Sequence, residues 1–236
     1  MSGKSQDETV LKTVKYYCII AVNFHKKEHI MHIPACETTQ LNIIPFEEAL
    51  LKESEGSFEY DREKWLYVPN AYTEYRYILG TRGKNPLICI GINPSTAKPD
   101  DLDNTLKSVE RTAAFNGFDS FIMFNVYAQR ATNPKDMDGD FNRCLHDENM
   151  NAFRYVLSSY GEGKTPAVWA AWGTIIEKRP YLIPCVKDMI EIGNEYGAKW
   201  YTVGKRSVKG HPHHPLYLKN NSTLDDFDIR SYINNF

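Results

Sequence analysis

The stretch Leu87–Ala97, LICIGINPSTA, decides how the fold is read. Apolar residues run without a break from Leu87 to Ile90 between Pro86 and Gly91; Asn93, Pro94, Ser95 and Thr96 then turn the chain polar. A short apolar run punctuated by Pro and Gly has the pattern of a strand buried on both faces. Such strands belong to parallel sheets with helices on either side. In open sheets of that kind ligands collect at the carboxyl ends of the strands, which is where Asn93, Ser95 and Thr96 are delivered. Two readings stand open here: a ligand-facing loop, or a plain strand-to-helix turn in which Asn-Pro breaks the strand and Ser95 or Thr96 caps the next helix.

Working outward, three more runs match the first: Ser120–Val126, ending near Asn125; Ala167–Trp172, closed by Gly173; and Lys199–Val203. Between them, Asn104–Phe115 and Asn142–Ser159 carry apolar residues at helical spacing, and a helix is expected from beyond Gly173 to about Tyr196. Strand and helix alternating in this way predict a central, mostly parallel four-stranded sheet in a three-layer α/β domain, assigned to residues 66–236. Tyr72–Leu79 alternates as an antiparallel strand does, and Arg76 on it either points into the sheet's functional end or, the commoner case, sits at solvent. Residues 1–65 are expected to be a β-rich elaboration: a disordered start, a strand at Val14–Phe24 with a hairpin partner at His29–Ile33, a short helix at Pro45–Glu53 and a linker from Ser54 to Arg62.

The 236 residues are 42% hydrophobic with 13% aromatics, enough for a core, and this excludes global disorder. A formal net charge of -2 gives no global signature of a nucleic-acid or membrane binder. Five scattered cysteines (Cys18, Cys36, Cys89, Cys144, Cys185) contain no C-x-x-C pair, which argues against a disulfide scaffold or zinc ribbon and fits a reducing compartment. With no signal peptide and no apolar run near 18 residues, a cytoplasmic protein is expected.

The neutral total hides a local excess. Between Tyr196 and Leu224 there is no acid, whereas Lys199, Lys205, Arg206, Lys209 and Lys219 accompany His211, His213 and His214. Basic runs are most often solvated faces, but this one comes after a strand's carboxyl end, where an anionic ligand such as phosphate is expected. Pro212 and Pro215 stiffen the histidine run, and adjacent ligands converge poorly on one ion, so neither metal nor cofactor is expected. An imidazole that hydrogen-bonds developing negative charge is the better use of it.

These motifs carry two resemblances. GINPSTA, the strand ending at Asn125, Arg130–Thr132 and His214–Leu218 together resemble a family of bacterial and phage proteins, domain of unknown function 1643, over roughly Tyr72 to Leu218. More distantly, Gly91–Pro94, Met123–Asn125, Trp172-Gly173 and His211–Leu216 resemble, in order, motifs of the uracil-DNA glycosylase superfamily. The first is in the version with Asn in place of the catalytic Asp, and the last carries one inserted residue. That resemblance implies a glycosylase-type fold and hydrolysis of a nucleobase N-glycosidic bond, in nucleic acid or a nucleotide. It implies catalytic roles for Asn93, as water holder, and for His214 or else His211, as donor to the departing base. Asn125 would read the base edge, Phe124 or Tyr127 would stack on it, and Ser95, Thr96, Arg130, Lys205, Arg206 and Lys209 would contact the rest of the substrate. Asp100, Asp101 and Asp103 stand downstream as substitutes for the missing Asp, although loop acids of this kind are usually exposed. The alternative is a non-catalytic binder of a nucleotide-like ligand or nucleic acid, including one acting in phage–host conflict. Oligomeric state is not legible.

Overall fold

Pro86–Gly91 forms strand β3, every residue buried, in a computed structural model that describes residues 31–54, 58–161, 163–216 and 218–235. The described residues lie in one unit that begins at Met31. In chain order they form α1 (Phe46–Ser54), β1 (Trp65–Val68), β2 (Ile78–Thr81), β3, α2 (Asn104–Phe115), β4 (Ser120–Asn125), α3 (Arg143–Ser158), β5 (Ala167–Ala170), α4 (Leu182–Glu195), β6 (Lys199–Val203), β7 (Leu224–Asp226) and α5 (Ile229–Ile233).

The sheet has seven strands rather than the four expected, in the order β1-β2-β4-β3-β5-β6-β7. The four expected strands are its parallel centre: β3 pairs in parallel with β4 and β5, and β5 with β6. The additional strands are antiparallel and flank that centre, β1 and β2 beyond β4 and β7 beyond β6. They are short, and β7 is a polar LDD that carries no buried residue, so neither length nor hydrophobic pattern marks it as a strand.

Alternation sorts β3 to the two faces. Ile88 and Ile90, with Ile122, Phe124, Val168 and Ala170 of the neighbouring strands, pack beneath α1, α3 and α4. Leu87 and Cys89, with Phe121, Met123 and Trp169, pack against Leu106, Val109 and Ala113 of α2. Both faces are therefore covered, and this is why the central strands read as unbroken apolar runs. At one crossing the strands approach too closely for a side chain: a Cβ on Gly80 of β2 would lie 2.3 Å from the Phe121 carbonyl oxygen of β4.

The helix ends are capped as the sequence signals. Asp103 accepts from Leu106 N at 2.9 Å and Asn142 from Leu145 N at 3.1 Å, each meeting a backbone N–H that a helix's first turn leaves unpaired. The expected strand Tyr72–Leu79 is displaced toward its end: regular pairing begins at Ile78. Residues 74–76 instead pair with the segment after β4, Arg76 N to Ala128 O and Arg130 N to Glu74 O. The strand and most of the hairpin expected within residues 1–33 lie outside the described residues. Of residues 31–54, the described structure consists of a 3-10 turn, Thr38–Gln40, and α1, whose Phe46 and Ala49 enter the core.

Candidate functional site

The strand order reverses direction at β3. The chain leaves β3 for β4 on one side, and β5, on β3's other side, leads away to β6. The crevice outside the carboxyl ends of β3 and β5 is the switch point at which α/β sheets bind ligands. Ile90 and Ala170 are register partners, so Asn93 and Gly173 stand three residues beyond the same level of the sheet. Gly173 takes φ +64, and its α-carbon side faces His214, whose Cβ would sit 3.5 Å from an added methyl. Asn93, Asn125 and His214 thus come to one edge of one sheet.

Asn93 is half-buried. Its Nδ2 donates to Ala131 O at 2.7 Å and Pro94 O at 3.0 Å, which fixes the amide plane and leaves Oδ1 as an acceptor with no protein donor among the described residues. His214, also half-buried, accepts from Leu216 N at 3.2 Å through Nδ1. A backbone N–H can only donate, so Nδ1 carries no proton and the neutral ring holds it on Nε2. Burial, and then the neighbouring His213, hold the His214 imidazole below its ordinary value, against a smaller opposing effect of Asp103. The result is a neutral ring with a fixed Nε2–H donor.

The other two histidines differ. His211 is 1% exposed, with Nδ1 2.9 Å from the Tyr232 hydroxyl and Nε2 3.4 Å from Glu177. It ties α5 to the turn after β5. His213 is exposed, its ring bonded to its neighbour's carbonyl.

Several expected contacts are placed elsewhere. Asn125 is fully buried, and its amide donates to the Phe124 and Asn93 carbonyls at 3.3 and 3.2 Å, bracing β4 against the loop after β3 rather than presenting an edge. Phe124 is sealed against Phe153, ring centres 5.2 Å apart. Tyr127 is sealed too, 4.9 Å from Tyr181, its hydroxyl accepting from Asn142 N. Neither ring has a face open to a ligand. In the basic segment, Lys209 is paired with Glu177 at 2.8 Å and the Arg206 guanidinium lies over Phe227. Lys205 and Arg206 line a shallow hollow together with Asp225 and Asp226, so the segment is less cationic than its sequence. Ser95 bonds Thr132 through its hydroxyl, and Thr96 is half-buried beside it.

The feature the sequence does not announce is under this loop. Arg76, for which solvent is the commoner of two expected settings, is 1% exposed; Arg130 is fully buried. Arg130 donates through Nη1 to Ser95 O and to Ala97 O (3.3 Å), and through Nη2 to the Tyr67 hydroxyl at 2.9 Å. Arg76 Nη1 donates to the same Ala97 O at 3.0 Å. Burial first, then the charge of Arg130, pushes the Arg76 guanidinium down to about 9. Tyr72 lies over Arg130 at 4.2 Å, and its hydroxyl meets His32, which also contacts Glu74 at 3.1 Å. Of the three loop acids, Asp100 accepts from Trp65 Nε1, Asp101 bridges back to Lys98, and Asp103 caps α2 while its charge acts on both Arg76 and His214. Arg76, Tyr67 and Tyr72 have no motif to flag them; the one hint is that Tyr72 and Arg76 share a segment otherwise rich in buried aromatics.

Among the described residues no helix is long and apolar enough to cross a membrane, and no group of three or more His, Cys, Asp or Glu side chains is arranged to hold a metal. Comparison with protein families matches residues 76–216 to the family described as protein of unknown function (DUF1643). That span is more than half of the chain, so the chain belongs to this family. It runs from Arg76 to Leu216 and contains Asn93, Arg130 and His214. No curated protein and no solved structure matches the chain.

Proposed function

We propose that the carboxyl edge of β3 and β5 hydrolyses the N-glycosidic bond of a nucleotide-like substrate, in the manner that the resemblance to uracil-DNA glycosylases implies. The observation that carries this reading is His214: a neutral imidazole whose tautomer is fixed by Leu216 N, so that Nε2–H is held ready to donate. As the bond between the sugar carbon and the base nitrogen breaks, its electron pair leaves with the base, and a donor aimed at that charge lowers the barrier. Asn93 complements it. With Nδ2 committed to two carbonyls, Oδ1 orients a water toward the sugar carbon. That water supplies hydroxyl to the sugar, and its remaining proton ends on the base. Asn125 acts one step removed, by holding the Asn93 backbone.

A second reading rests on Asn93. A neutral amide positions water but does not take its proton, so Asn93 suits binding without turnover as well as slow hydrolysis. Incubation with modified and unmodified DNA, RNA and free nucleotides, with released bases read by mass spectrometry, separates the two. Base release that Asn93→Ala abolishes supports hydrolysis; saturable binding with no release supports the second reading.

A further inference from the structure

We propose that the Arg76–Arg130 pair is an anion site and that the ligand it completes is a phosphate monoester. Two guanidinium groups sit side by side, both buried, beneath the loop that follows β3 and bonded to its Ala97 carbonyl. Buried charges are paired in stable proteins because an uncompensated one is costly. Among the described residues neither arginine has a carboxylate within ion-pair distance. Their acceptors there are two backbone carbonyls and one tyrosine hydroxyl, all neutral, and among the described residues the Nε of each has no protein acceptor. Asp103, the acid whose charge acts on Arg76, has one carboxylate oxygen engaged as the cap of α2.

Two adjacent cations with spare N–H donors match an anion of charge two with several oxygens, and the planar fork of Arg fits phosphate better than a point charge does. A monoester carries that charge near neutral pH; a backbone diester carries one. The approach is past Tyr72, which is 46% exposed and roofs Arg130, and past the half-buried hydroxyls of Ser95 and Thr96. The inference rests on the reading that this edge takes a nucleotide-like ligand, and it narrows that ligand to a free or terminal phosphate.

The test is binding alone, by calorimetry on the full chain, with inorganic phosphate, a nucleoside 5′-monophosphate, the parent nucleoside, a short oligonucleotide lacking terminal phosphates, and acetate. The monophosphate is expected to bind at least tenfold tighter than the nucleoside, and inorganic phosphate is expected to compete with it. Arg76→Met, checked for native circular dichroism, is expected to bring the two within twofold of each other. Arg76→Lys, which keeps the charge without the fork, is expected to fall between. Equal affinity of monophosphate and nucleoside in the wild type, acetate matching phosphate, the unphosphorylated oligonucleotide matching the monophosphate, or an unchanged ratio in Arg76→Met would each overturn the proposal. Because inorganic phosphate has no base to release, its binding stands or falls independently of the hydrolysis reading.

Discussion

Arg76 and Arg130 share one acceptor, the Ala97 carbonyl oxygen, at 3.0 and 3.3 Å. A single backbone oxygen thereby draws two like charges together under the loop after β3. Arg130 also holds Ser95 O and the Tyr67 hydroxyl, so the two arginines are unequal in what they stabilise. In buffer without multivalent anions, Arg76→Met is expected to lie within about 1 kcal/mol of wild type or to be more stable, since it removes a buried charge while Ala97 O keeps a donor. Arg130→Met strands the Ser95 carbonyl and the Tyr67 hydroxyl, Ala97 O keeping Arg76, and is expected to cost more than about 2 kcal/mol, at roughly 1–3 kcal/mol per buried group left unpaired. Urea denaturation of the two variants checks this; a larger loss for Arg76→Met would contradict it.

The histidines divide by what each touches. His211→Ala is expected to destabilise the fold by about 1–3 kcal/mol, because a buried ring bonded to Tyr232 and facing Glu177 is lost. His214→Ala is expected to leave thermal unfolding close to wild type and to lower turnover by roughly 100- to 1000-fold, the effect of deleting a donor to developing charge. His213→Ala is expected to change neither. Paired unfolding and rate measurements on all three decide the assignment.

The pH dependence is set by the direction of the His214 shift. Burial holds its imidazole below the ordinary value of about 6.5, so the folded ring stays neutral where the unfolded one begins to protonate. The acid limb of kcat/KM is therefore expected below pH 6.5. The ring's contribution to stability, complete above the unfolded value, is lost as pH falls toward the folded one. A limb at or above the ordinary value would mean that the titrating group is not this one.

Gly80→Ala probes the crossing of β2 on β4. The new Cβ would lie 2.3 Å from Phe121 O and 2.8 Å from Ile122 Cα, both backbone atoms without freedom to move aside. A loss of about 3 kcal/mol or more, at the upper end of overpacking costs, is expected by chemical denaturation.

The parallel centre was legible because its physics is local. β3, β4, β5 and β6 each announce themselves as apolar runs stopped by Gly, Asn or a turn, and Asp103 and Asn142 mark their helix starts. The flanking strands were not: β7 is three residues, two of them Asp, whose pairing is decided by β6, and Trp65–Val68 comes after a polar stretch that reads as linker. Of the site, Asn93 and His214 were legible from position along a strand and before a proline. The burial of Arg76 was not, because an arginine carries no sequence mark that distinguishes solvent from a loop carbonyl 21 residues away. Phe124 and Tyr127 mislead for the converse reason. An aromatic next to a strand's carboxyl end reads as a stacking platform, and only the helix packed over it shows that its faces are already taken.

The most direct test of the hydrolysis reading is the rate of free-base release from the member of the substrate panel that binds best, measured by mass spectrometry in single turnover. Wild type is expected to release base, Asn93→Ala and His214→Ala to be slowed by roughly two to three orders of magnitude with binding retained, and His213→Ala to match wild type. No base from any bound member of the panel, or release unaltered in His214→Ala, would contradict the account.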